Sequence, residues 1–199
     1  SGGSFNYDLM AEGPRSVLER HLAALASVVR TRPNVVSISL ADDPALRLRE
    51  STLREGLIQL AKSRYTEYDA MNRRWRTRYM SFDEVQVDWA SRHTAYLYDL
   101  QTYHQELGTQ LFVFFSDLSR KTAPALPVQV QFADTAFNKG ESMQGIDRES
   151  ILNAMDMSGT SASQSLYGDG LAIGPQTQAA NYALLRSLRP NAPVLNTND

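Results

Sequence analysis

Four arginines and two aromatics stand within seven residues at Arg73-Arg74-Trp75-Arg76-Thr77-Arg78-Tyr79. Guanidinium groups grip phosphate and carboxylate oxygens in forks, and aromatic faces stack on bases, so this composition suits an anionic partner. The same residues have a plain structural use. Cations suit the C-terminal end of a helix, and Asp83, Glu84 and Asp88 follow closely enough to pair with them. Trp75 and Tyr79 fall on an apolar stripe. Arg73, Arg74, Arg76 and Arg78 are carried forward as a candidate interaction patch, with a protein partner first and nucleic acid second.

Other chemistry-bearing residues are scattered. Asp42-Asp43 and Asp99 with Glu106 are carboxylate pairs, common at helix caps and on helix faces. Without a pocket they do not specify acid–base work. His93 and His104 are about 16 Å apart along one helix axis, too far to share a metal ion. His21 stands alone on an apolar face. The stretch Gly168–Gly174 lacks the preceding strand of a dinucleotide fold and the lysine of a phosphate loop. Ser158–Ser163 lacks a nucleophile elbow. The absence of cysteine excludes disulfides, thiolate metal sites and cysteine nucleophiles. The sequence therefore names no catalytic, cofactor-binding or metal-ligating residue, and predicts no cofactor and no enzyme.

The 199 residues are 42% hydrophobic and 21% charged, which suits one globular domain. A net charge of −2 gives no bulk attraction to nucleic acid or anionic lipid. Residues 1–80 carry 13 Lys+Arg against 9 Asp+Glu and residues 81–199 carry 7 against 13, so the two halves complement one another. No apolar run is long enough to insert in a membrane. Ser1–Ser4 reads as a linker or engineered scar. A single domain over 5–190 is expected, with a small mixed lobe at about 120–175 and a polar tail at 191–199.

The elements that would position these residues are mostly helical. From Phe82 an apolar stripe runs through Val85, Trp89, Tyr96, Leu100, Tyr103, Leu107, Leu111, Phe114 and Leu118, about ten turns. Ser81 with Glu84 forms a capping-box signal at its start. Gly108 is the weak point. A matching stripe from Leu46 to Tyr79 follows Asp42-Asp43-Pro44, and Gly56 interrupts it. The two predict an antiparallel helical hairpin of 44–80 and 81–119. Further helices are expected over 14–31, 147–157 and 176–188. Alternation predicts strands at 34–41 and 126–132, paired as a two-stranded β-ribbon. A turn is expected at Asn138-Lys139-Gly140 and loop over 158–178.

Phe115–Lys121 followed by Val128–Phe137 resembles the end of a long helix and the next strand in rod-shaped plant-virus coat proteins. No residue role carries over.

The expected fold is mainly α, a helical bundle with a minor β-ribbon. The expected function is a non-catalytic assembly or protein-interaction module that associates with itself or a partner. Two alternatives stand beside it. One is an extracytoplasmic sensory or ligand-binding domain cut from a membrane protein. The other is a viral coat or nucleocapsid-type protein that contacts RNA through Arg73–Arg78.

Overall fold

Val128-Gln129-Val130-Gln131-Phe132 alternates apolar and polar side chains and forms a strand at the middle of the molecule. The computed structural model describes residues 12–29, 32–46, 48–132, 144–160 and 175–196. In chain order these make α1 (Glu12–Val29), β1 (Ile38–Asp42), α2 (Glu50–Arg64), α3 (Tyr68–Trp75), α4 (Thr94–Thr122), β2 (Val128–Phe132), α5 (Arg148–Asn153), β3 (Met157–Thr160), α6 (Pro175–Leu188) and β4 (Val194–Asn196). A single 3-10 turn, Phe82–Glu84, lies between α3 and α4.

The four strands form one sheet in the order β1-β2-β3-β4, and every neighbouring pair is parallel. Val128, Val130 and Phe132 pack with Phe112 of α4, Ile151 and Leu152 of α5 and Leu185 of α6 in one buried core. Gln129 and Gln131 therefore point to the opposite face. Strand order follows chain order without reversal. Crossovers of one hand then bring the covering helices to the same face. The other face is polar, with Ser39, Gln129 and Gln131 on it. Gln129 Nε2 donates to Ser37 Oγ at 3.1 Å.

The expectation of a mainly α bundle is thus corrected. The molecule is α/β. The predicted strands do pair with each other, but in parallel and as two of four. The predicted hairpin 44–80 and 81–119 is also absent. Residues 44–80 hold two shorter helices. Arg76 adopts a left-handed conformation, φ 57°, where α3 stops. Asn72 fixes this exit. Its Oδ1 accepts from Tyr79 N–H at 3.0 Å and from Thr77 Oγ1 at 2.9 Å, and its Nδ2 donates to Tyr79 O at 2.7 Å.

After Ser81 only the 3-10 turn forms, although Glu84 Oε2 does accept from Met80 N–H at 2.8 Å. Residues 85–93 are not helical. Tyr96 pins them, accepting from Asp88 N–H at 2.8 Å and donating to Gln86 O at 2.6 Å. Burial pushes the Tyr96 hydroxyl up to about 12, against the pull of the Asp88 N–H.

The 29 residues of α4 span about 43 Å, against about 17 Å for a five-residue strand. Its C-terminal half covers the sheet. Its N-terminal half supports a second core of Leu57, Ile58, Ala61, Met71, Trp75, Val85, Tyr96 and Leu100. Gly108 does not break it. A Cβ there would lie 2.0 Å from the Gly145 carbonyl oxygen, so the missing side chain is what lets the loop before α5 approach. Two short strands were not expected: β3 lies in the stretch read as loop, and β4 in the stretch read as tail. The predicted helices over 14–31, 147–157 and 176–188 correspond to α1, α5 and α6. Asp147 caps α5, accepting from Ser150 N–H at 3.2 Å. The turn at Asn138–Gly140 and the stretch Gly168–Gly174 lie outside the described residues.

Candidate functional site

Asp42, Phe132, Thr160 and Asn196 end their strands at one edge of the sheet. Parallel α/β sheets place their working residues at this carboxyl edge, because loops there vary while the strands stay rigid. Asp42 is the only carboxylate among these four described strand ends. It is also the one that a bulge re-aims. Ser39 pairs with Gln129 and Asp42 with Gln131, so β1 carries one extra residue between these partners. Without the bulge, Asp42 would share the face of Ile38 and Leu40 and meet the covering helices. With it, Asp42 stands on the polar face beside Gln131. Bulges of this kind are enriched next to active sites for that reason.

The turn that follows is fixed as well. Asp43 has φ 48°, and its N–H donates to Gln131 O at 3.0 Å. Pro44 cannot extend the ladder. Leu46 N–H donates to Gln144 O at 2.8 Å, tying the loop after β1 to the loop before α5. Gln105 Nε2 on α4 donates to Ile146 O at 3.0 Å. Asp42 and Asp43 are both exposed, on a rim whose backbone is held from two sides.

Behind this rim lies His104, 3% exposed, with Trp89 at 5.4 Å between ring centroids. Neither ring nitrogen has a hydrogen-bond partner among the described residues. Burial lowers its pKa below the ordinary histidine value, and the Leu46 backbone pulls weakly the other way. On the helix-covered face, Asn181 Nδ2 donates to Thr160 Oγ1 at 2.8 Å.

The remaining sequence candidates are dispersed. Asp99 does not pair with Glu106. It is 6% exposed and accepts from Trp75 Nε1 at 2.7 Å, from Tyr65 OH at 3.1 Å and from Arg64. Glu106 is exposed, as are His21 and His93. Ser158 is buried in β3. Arg73, Arg74, Arg76 and Arg78 are exposed around the end of α3. Their expected carboxylate partners are engaged elsewhere. Asp83 takes Lys62 at 2.8 Å, Glu84 takes Met80 N–H, and Asp88 Oδ1 takes Ala90 N–H at 2.9 Å. Among the described residues no group of three or more His, Asp or Glu could hold a metal ion, and no helix is long and apolar enough to cross a membrane.

No protein-family model matches the chain, and no curated relative does. Solved structures do share its fold. A cold-adapted β-galactosidase from Rahnella sp. R3 superposes with a TM-score of 0.77 at 16% identity, over 98% of this chain and 29% of that one. A β-galactosidase from the psychrophilic Marinomonas ef1 gives 0.71 at 17% identity, over 99% and 33%. An exo-carrageenase of glycoside hydrolase family 42 from Bacteroides ovatus gives 0.58 at 20% identity, over 72% and 22%. The chain spans about a third or less of the length of these structures. The fold is therefore an α/β fold found in glycoside hydrolases. This overturns the expected non-catalytic helical assembly module and the reading as no enzyme. The sensory-domain alternative rested on the same long-helix bundle, which the structure does not contain, and the coat-protein alternative on RNA contact through Arg73–Arg78, which none of these neighbours supports.

Proposed function

We propose that this chain forms part of a carbohydrate-active enzyme and supplies one catalytic carboxylate from the rim at Asp42-Asp43. The observation that carries this is the β1 bulge, which sets Asp42 on the polar face at the carboxyl edge of a parallel sheet. Glycoside hydrolysis uses a pair of carboxyl groups flanking the scissile bond, one to protonate the leaving oxygen and one to attack or activate water. Asp42 supplies one of the pair. The others among the described strand ends, Phe132, Thr160 and Asn196, are not carboxylates. The structural neighbours support a glycoside as substrate, and the β-galactosidases among them favour a galactoside. The test is a survey of p-nitrophenyl glycosides with the whole enzyme of which this chain is part. Turnover of the β-galactoside above the other sugars supports the reading, and no turnover of any glycoside overturns it.

A further inference from the structure

A cavity of about 240 Å³ opens between the end of α3 and the start of α4, lined by Arg74, Trp75, Arg76, Arg92, His93 and Thr94. We propose that it is a binding site for a tetrahedral oxyanion, sulfate or phosphate, free or as an ester on a larger ligand.

Three arginines line this one space, and like charges collect only at a cost unless an anion offsets them. None of the three forms an ion pair among the described residues. The acidic residues that follow them in sequence are turned away: the Asp83 carboxylate meets Lys62 on α2 while its backbone carbonyl accepts from Arg54, and the Asp88 carboxylate faces its own turn. The backbone that gathers the arginines is fixed rather than floppy. The left-handed Arg76 redirects the chain, Asn72 locks that redirection, and Trp75 is fully buried with its indole N–H on Asp99. Arg92 and His93 arrive from the other wall, just before the first turn of α4, where the dipole of a 29-residue helix adds to the same potential.

The volume is below the roughly 300–1,000 Å³ of pockets that enclose drug-sized ligands. It suits a single small group held in guanidinium forks. His104 follows His93 by eleven residues, about 16 Å along α4, so this cavity is separate from the Asp42 rim. The inference does not depend on the function proposed for that rim.

The chain has three histidines, so the imidazole signals in an NMR spectrum report the site directly. Inorganic sulfate and inorganic phosphate are titrated separately into the protein in low-chloride buffer. The expected result is a saturable movement of the His93 signals with those of His21 and His104 unmoved. The double variant Arg74→Ala/Arg92→Ala should weaken binding at least tenfold while keeping its melting temperature. Arg73→Ala, next in sequence but not lining the cavity, should leave binding unchanged. Whichever anion saturates tighter assigns the ester class. No saturable His93 movement, or an equal loss in Arg73→Ala, overturns the proposal.

Discussion

Asp42 stands in register with Gln131, although two residues lie between it and Ser39 and only one lies between Gln131 and Gln129. That one extra residue decides which face of the sheet the carboxylate meets. The period of a strand is two, so a slip of one inverts every later side chain. The polar rim is a consequence of this local irregularity.

Shifting the strand by one residue gives a first prediction. An alanine inserted between Ala41 and Asp42 moves the carboxylate one position on, opposite Phe132 and towards the core. An unpaired carboxylate there costs several kcal/mol. Asp42→Asn, at an exposed position, should stay within about 0.5 kcal/mol of the parent. Thermal melts of the two variants check this. An insertion variant as stable as Asp42→Asn would show that the register does not set the aim of the carboxylate.

The second prediction concerns Asp99. Its carboxylate answers the Trp75 indole N–H, the Tyr65 hydroxyl and Arg64 at once. Asp99→Ala leaves the buried indole donor without an acceptor and should cost about 3 kcal/mol. Trp75→Phe made in the Asp99→Ala background should then cost less than in the parent, because the shared bond is already gone. Equal costs in both backgrounds, read by urea unfolding, would mean the two residues act independently.

Gly108 and Gly56 carry the third. Gly→Ala in an exposed helix interior gains about 1 kcal/mol. Here the sign reverses. A Cβ at Gly108 meets the Gly145 carbonyl, and one at Gly56 would sit 1.6 Å from the Tyr103 hydroxyl oxygen. Each alanine should destabilise by about 1–3 kcal/mol through overpacking. Tyr103→Phe should restore part of the loss at Gly56 and none at Gly108.

His104 gives the pH dependence. Its pKa is lowered by burial, so the folded state resists a proton that the unfolded chain accepts near its ordinary value of about 6.5. The unfolded state then binds more protons. The stability contribution of His104 is therefore intact above about pH 6.5 and is lost as pH falls through the lower folded value. The melting temperature of the parent should fall between pH 7 and 5 more steeply than that of His104→Gln. Parallel curves would rule out His104 as the source.

Much of the architecture is legible in the residues. Alternation marks β1 and β2, and helical periodicity marks α1, α5, α6 and the body of α4. The failures have physical causes. Phe82, Val85 and Trp89 fit a helical stripe, but Val85, Val87 and Trp89 also alternate with Gln86 and Asp88, and the tertiary bonds of Tyr96 select the second pattern. Ser158-Gly159-Thr160 and Val194-Leu195-Asn196 are too short to show a period, and neighbouring ladders make them strands. Read as regular alternation, Val36, Ile38 and Leu40 put Asp42 on the apolar face, so its place on the rim could not be found without the register. Asn72, which bonds Thr77 and Tyr79 five and seven positions further on in no periodic pattern, redirects the exit of α3 and so removes the long hairpin.

Asp42 is proposed to work as a catalytic carboxylate. The most direct measurement is kcat/KM for hydrolysis of p-nitrophenyl β-galactoside by the whole enzyme and by its Asp42→Asn variant, with melting temperatures taken on the same samples. A fall of about a hundredfold or more, on the scale of a lost general acid–base group, with the melting temperature kept, is the predicted result. Equal values of kcat/KM in the two proteins would contradict it.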